Sequence, residues 1–270
     1  MFASQPVVLV TGVSSGIGRA IAEAFVAADY RVYGTIRADG GPLPNSVRPL
    51  QLDVRDDASI AAAMARLLAE SGRIDVLVNN AGGSLAGAVE ETEIGQAQAL
   101  FDVNFFGAAR VTQAALPTMR AQKAGRVIFI SSVLGFLPGP FVAYYAASKH
   151  ALEAYAESLD HEVRPFGVRA LLIEPSFMKT RIDANSASAA RSLDAYAETR
   201  ARVTKGVNAA VLGGDDPKVV AAKVLAAANA RTPRLRYPVG KGANALALMR
   251  SFLPAAMMDQ GLRKNFRLDG

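Results

Sequence analysis

The 270-residue chain contains no cysteine. That absence excludes a disulfide framework, a thiolate zinc site, an iron–sulfur cluster and a cysteine nucleophile. Histidine is nearly as scarce. His150 and His161 are the only two, and they miss the i, i+4 spacing of a helical zinc pair, so no metal centre is expected. Long apolar runs are missing too: nothing approaches the roughly 18 residues needed to cross a bilayer. The first dozen residues show no basic stretch followed by an extended apolar one. Neither a transmembrane helix nor a secretory signal is expected, and the cytoplasm is the expected location.

What is present suits a globular protein with a substantial core, at 51% hydrophobic and 20% charged residues. The net charge of +6 is unevenly placed. Residues 1–230 carry 22 basic and 22 acidic side chains, whereas residues 231–270 carry eight basic ones against Asp259 and Asp269. A neutral body argues against a nucleic-acid partner. The basic C-terminal extension, about 231–270, is read as solvated or packed on a partner subunit rather than as a membrane contact.

Short β-rich runs alternate with helical segments. Pro6–Val10, Arg31–Ile36, Val47–Val54, Ile74–Val78, Arg126–Ser131 and Val168–Ile173 read as strands, and Arg19–Asp29, Ala58–Ser71, Gly95–Arg120 and Tyr144–Glu162 as helices. This rhythm predicts a single α/β domain: a Rossmann-type, doubly wound parallel sheet with helices on both faces. Residues 176–216 read as a lid-like insertion, and 238–270, rich in glycine and proline, as irregularly packed.

The first strand runs into Thr11-Gly12-Val13-Ser14-Ser15-Gly16-Ile17-Gly18, and a helix follows. Glycines at 12, 16 and 18 allow a tight turn and close approach to a pyrophosphate, which the helix N-terminus then faces. At the end of the second strand Ile36 stands where an acid would bind the ribose hydroxyls of NAD(H), and Arg37 comes next. An arginine there suits a 2′-phosphate, so NADP(H) is the preferred cofactor, with NAD(H) left open through Asp39.

These residues, together with others in order, resemble the short-chain dehydrogenase/reductase family over roughly residues 6–180, in particular its hydroxysteroid and retinol dehydrogenase-like branch. Thr11–Gly18 resembles the family's glycine-rich turn. Asp53 and Val54 resemble the strand end that meets the adenine, and Asn79-Asn80-Ala81-Gly82 the family's Asn-Asn-Ala-Gly segment. Asn104, Ser132, Tyr145 and Lys149 match its catalytic tetrad. Of the adjacent tyrosines only Tyr145 has lysine at +4, on the same helix face. Ser132 rather than Ser131 stands thirteen residues before Tyr145, the interval the family favours. Pro175, Ser176 and Thr180 match the segment that meets the nicotinamide, with Ser176 in place of the usual glycine, a change expected to shift the local backbone.

The resemblance implies hydride transfer between nicotinamide and a ketone or secondary alcohol, with Tyr145 as proton donor and Ser132 orienting the substrate oxygen. Lys149 would hold the ribose and favour the phenolate, and Asn104 would help order a water relay. Apolar neighbours (Val133, Leu134, Phe136, Leu137, Phe141, Val142, Tyr144, Phe177 and Met178) suggest a lipophilic carbonyl substrate, steroid- or retinoid-like. A 3-oxoacyl thioester reductase and a non-catalytic NADP-binding regulator are the alternatives. A homo-oligomer built on the long helices is expected from the family.

Overall fold

The computed structural model describes residues 5–37, 43–179, 187–266 and 268. The chain runs β1 (Val7–Val10), α1 (Gly16–Ala27), β2 (Arg31–Ile36), β3 (Arg48–Gln51), α2 (Asp57–Ser71), β4 (Val76–Asn79) and β5 (Leu85–Ala86). It continues through α3 (Ile94–Phe101), a π-helical turn (Asp102–Gly107), α4 (Ala108–Gln122), β6 (Gly125–Ile130), α5 (Ala143–Val163) and β7 (Val168–Pro175). The last part holds β8 (Ala187–Ser188), α6 (Asp194–Leu212), α7 (Pro217–Asn229), β9 (Arg236–Val239), α8 (Ala243–Phe252) and α9 (Ala255–Phe266).

Seven parallel strands form one sheet in the order β3-β2-β1-β4-β6-β7-β9. Strand alternation divides the core. Val7 and Leu9 of β1 join Phe129, Leu152 and Met119 on the face covered by α2, α4 and α5. Val8 and Val10 join Ile21, Phe25 and Val224 on the face covered by α1 and α7. Both faces of β1 are therefore dry, which is why it reads as an unbroken apolar run. Each fully buried large side chain among these contributes about 1.5–3 kcal/mol relative to exposure.

The chain winds outward from β1 to β3, then crosses back to β4 on the other side of β1. That reversal opens a crevice at the carboxyl ends of β1 and β4, where open α/β sheets take their ligands. Aspartates finish the local signals: Asp56 caps α2 by accepting from the Ala58 and Ser59 amides.

Two expectations need correction. The single helix read over Gly95–Arg120 is two helices separated by the π-helical turn, a spacing that apolar periodicity does not reveal. The C-terminal stretch is not irregular. Arg236–Val239 is the seventh strand, with Pro238 tolerated at the sheet edge, and α8 and α9 follow, with Gly242 before α8 and Pro254 between the two. The lid-like segment holds the 19-residue α6, Asp194–Leu212. It is pinned to the body by the β5–β8 pair and by buried Glu91, which accepts from the Leu193 amide at 2.8 Å and from Arg200.

Candidate active site

The glycine-rich turn is held in shape by the neighbouring strand end. The Thr11 hydroxyl accepts from the Asn80 and Ala81 amides, both at 2.9 Å, and the Asn80 amide group donates to the carbonyls of Thr11 and Gly12, again at 2.9 Å. Gly12 and Gly16 have φ of 72° and 57°, the left-handed region where a side chain is strained. Gly18 allows the closest contact. A Cβ there would fall 2.1 Å from the Gly12 carbonyl oxygen and 2.3 Å from Asn80 Nδ2. Ser15 precedes α1 without a capping hydrogen bond from its side chain, and the first turn of α1 has no acid. The turn thus presents amides and a positive helix end without a protein anion beside them, which fits a dinucleotide phosphate. Ser14 and Ile17 are half-buried within it and Ser15 is exposed.

On the far side of β1, Arg37 is exposed just beyond β2. Asp53 is held by the side chain of Arg55, at 2.6 Å, and by the Arg55 amide. Those hydrogen bonds, with the charges of Arg55 and Arg37, bring its carboxyl down to about 2. Arg37 is therefore close enough to Asp53 to act on it. Val54 is buried with its side chain against Gly107, so any ligand contact it makes comes from its backbone. Asp39 and Thr180 lie outside the described residues.

The second half of the site gathers around α5. Lys149 is buried, its Nζ donates to the Ile130 carbonyl at 2.9 Å, and it lies 5.8 Å from the centre of the Tyr145 ring. Burial pulls the ammonium down to about 8, against the opposing charge of Glu153 one turn along. The two serines that follow β6 part company, as alternation of an extended chain requires. Ser131 is buried and donates to Glu153 Oε1 at 2.7 Å. Half-buried Ser132 has its Oγ accepting from the Leu134 amide at 3.1 Å.

Asn104 sits within the π-helical turn, buried. Its side chain accepts from the Gly83 amide at 2.8 Å and donates to the Gly83 carbonyl and to Ser148 Oγ, both at 3.0 Å; the Ser148 hydroxyl then donates to the Tyr145 carbonyl. One amide group thus ties Gly83, just after the Asn80-Ala81-Gly82 segment, to the helix that carries Tyr145 and Lys149. Ser176 continues the β7–β9 ladder through its amide, which donates to the Val239 carbonyl, and Gly240 leaves room for its hydroxyl.

Behind Lys149 lies a charged cluster that motif reading overlooked. Arg236 reaches Glu153 and Glu174 at 2.5 Å and Glu157 at 2.8 Å. Burial and the neighbouring Glu153 push the Glu174 carboxyl up to about 7. Glu153 at +4 from Lys149 was legible as a helical neighbour; Arg236 was not, because it arrives on β9. Arg236 was counted with the basic extension, yet it is part of this cluster.

The family model for short chain dehydrogenase matches residues 6–191. The chain belongs to this family. The 3-ketodihydrosphingosine reductase of Bacteroides thetaiotaomicron is 34% identical, over 96% of this chain and 97% of its own length. Rat estradiol 17-beta-dehydrogenase 1 is 39% identical over 86% of this chain and 72% of its own. A solved short-chain dehydrogenase from Streptomyces avermitilis superposes with a TM-score of 0.81 at 36% identity, over 100% of this chain and 99% of its own. The chain is accordingly an oxidoreductase of the carbonyl/alcohol type, from a family that binds nicotinamide cofactors.

Among the described residues no group of three or more metal-binding side chains exists, and no helix is long and apolar enough to cross a membrane. Not all of the apolar neighbours are available to a substrate. Val133, Leu137 and Met178 are buried in the body, whereas Leu134, Phe136, Phe141, Val142 and Tyr144 are half-buried and Phe177 is exposed. An open groove of about 480 Å³ is lined by Ala88, Val89, Glu90, Phe141 and Tyr196. Phe141 has φ of 61°, and this left-handed backbone is held by the Gly87 amide on its carbonyl and by the ring of Tyr196.

Gly18→Ala is expected to force the turn open against Asn80. Cofactor affinity should fall by more than about tenfold, with secondary structure retained. Fluorescence titration with the reduced cofactor and a circular dichroism spectrum check both halves of the statement.

Proposed function

We propose that the chain is an NADP(H)-dependent oxidoreductase of lipophilic ketones and secondary alcohols. The observation that carries the reading is the Tyr145–Lys149 pair on one face of α5, with the Lys149 ammonium buried against Ile130 and close to the Tyr145 ring. When bound, the nicotinamide supplies or accepts the hydride.

Tyr145 gives its phenolic proton to the substrate oxygen on reduction and takes it back on oxidation. A tyrosine pKa near 10 is too high for easy exchange in both directions, and a neighbouring ammonium favours the phenolate. Ser132 supplies the second hydrogen bond to the same oxygen, whose negative charge grows in the transition state. The Asn104 side chain is committed to Gly83 and Ser148, so its contribution is to hold the π-helical turn, where the regular i→i+4 ladder is interrupted and a main-chain carbonyl can meet water. Gly12, Ser14, Ser15, Gly16, Ile17 and Gly18 would hold the pyrophosphate, and Asp53 and Val54 the adenine. Asn80, Ala81, Gly82, Lys149, Pro175 and Ser176 would hold the nicotinamide half, with Thr180 as the further contact inferred from the motif.

Arg37 is the proposed reader of the 2′-phosphate. The exposed position beyond β2, within reach of the Asp53 charge, supports that role. The apolar groove beside Phe141 and Tyr196, and relatives named for a ketosphingoid base and a steroid, support a lipophilic substrate. The test is a titration with NADPH and with NADH at matched salt. NADPH is expected to bind more tightly, and Arg37→Ala to weaken NADPH by about 10–100-fold while leaving NADH unchanged. Equal affinities would remove Arg37 from the role, and binding of neither would end the enzymatic reading.

A further inference from the structure

The last two helices leave the sheet at the end where the motif residues gather. Helix α8 packs against β9 and against the turn Val133–Gly135 that follows Ser132. Its first residue, Ala243, is fully buried; beyond it one face stays uncovered. Ala245, Leu248, Met249 and Phe252 recur at i, i+3, i+4 and i+7, the spacing of a single helical face. All four are exposed, Leu248 by 62% and Phe252 by 78%. Pro254 then turns the chain into α9, where Met257 is exposed as well.

Basic side chains outnumber acidic ones in this region. Residues 240–266 carry Lys241, Arg250, Arg263 and Lys264 against Asp259 alone, in a chain whose first 230 residues are neutral. An exposed apolar stripe within a segment of net positive charge is the composition of a helix that lies in a membrane interface, its stripe at the acyl boundary and the basic groups of its polar face towards lipid phosphates.

We propose that α8 and α9 form a docking surface for an anionic lipid bilayer. The ten residues of α8 make a helix about 15 Å long, which suits lying in the interface plane and is too short to cross it. A second copy of the chain is the rival occupant. Lys241 is paired within the body, its Nζ 3.7 Å from Asp215. A two-fold contact through this patch sets the same net positive segment on both sides of the interface, where like charges oppose it, whereas an anionic surface is attracted by that excess charge. This assignment replaces the solvated reading of the basic extension, and it stands apart from the activity proposed above.

Sedimentation of the full chain with vesicles tests it, using pure phosphatidylcholine and phosphatidylcholine with about a third phosphatidylglycerol. The chain is expected to pellet with the anionic vesicles, to be released at roughly 0.5 M salt, and to bind the neutral ones weakly. The double variant Leu248→Glu/Phe252→Glu, at exposed positions, should lower the bound fraction by about tenfold or more with thermal unfolding unchanged. Arg250→Glu/Lys264→Glu should weaken binding to the anionic vesicles alone. Failure to pellet with either vesicle overturns the proposal, as do equal binding to both and undiminished binding by the first double variant. A concentration-dependent dimer that the first double variant dissolves overturns it in favour of the second copy.

Discussion

Tyr145→Phe is expected to lower the rate of carbonyl reduction by ~10²–10⁴-fold while leaving cofactor affinity within about threefold. The change removes one hydroxyl and keeps the ring, so the packing between Lys149 and the ring at 5.8 Å survives. What disappears is the hydroxyl proposed above as the proton donor to the substrate oxygen. Lys149 cannot take its place, since its Nζ is buried and donates to the Ile130 carbonyl. Steady-state rates and cofactor titrations on the same preparation separate the two effects. A variant that retained most of its activity would assign the proton to another group and withdraw the role given to Tyr145. The lysine sets a further condition: with its ammonium near 8, the cation that favours the phenolate is present at neutral pH and lost as the pH rises through that value.

Arg236→Met should produce the largest loss of stability, about 3–5 kcal/mol at pH 8, because it leaves Glu153 and Glu174 buried without their cation. The loss should depend on pH, with a sign that follows from Glu174. Its folded pKa, about 7, lies above the ordinary glutamate value of 4.5. Its contribution to stability is therefore complete below about 4.5 and lost as the pH rises through 7, a change on the order of 3 kcal/mol. Lys149, depressed from 10.5 to about 8, acts in a separate window: its contribution is present above 10.5 and lost as the pH falls through 8. Without Arg236 the Glu174 carboxyl rises further, so the deficit against the unmodified chain should be widest at pH 8 and narrow towards pH 5. Denaturant unfolding at both values measures it, and equal deficits would show that Glu174 does not titrate across this window.

The sheet and the motif positions were legible because both depend on short-range pattern. Two-sided burial makes β1, β4, β6 and β7 continuous apolar runs, and the +4 spacing alone separates Tyr145 from Tyr144. The π-helical turn was hidden because Asn104 lies in a stretch whose apolar residues satisfy an ordinary helix. Arg236 was hidden because β9 is four residues long and contains proline, so nothing local connects it with Glu153, 83 positions earlier. Apolar character also could not separate wall from core: Val133, Leu137 and Met178 read like pocket residues and are spent on packing. The helices of the last thirty residues were mistaken for irregular chain because Gly242 and Pro254, which bound them, were taken as breaks throughout the stretch.

The stitch between Thr11 and Asn80 joins residues 69 positions apart. A nascent chain that has completed only its first strand and helix therefore has the glycines of the phosphate turn but not the partner that shapes them. The cradle comes into being when β4 docks beside β1, so a nicotinamide cofactor recognises finished molecules and not fragments. A ligand with that selectivity shifts the population of the whole chain, by about 2.7 kcal/mol at a hundredfold excess over its dissociation constant. Because that shift grows with the logarithm of the free ligand long after the site is full, the folded population keeps responding to cofactor at concentrations where occupancy no longer changes.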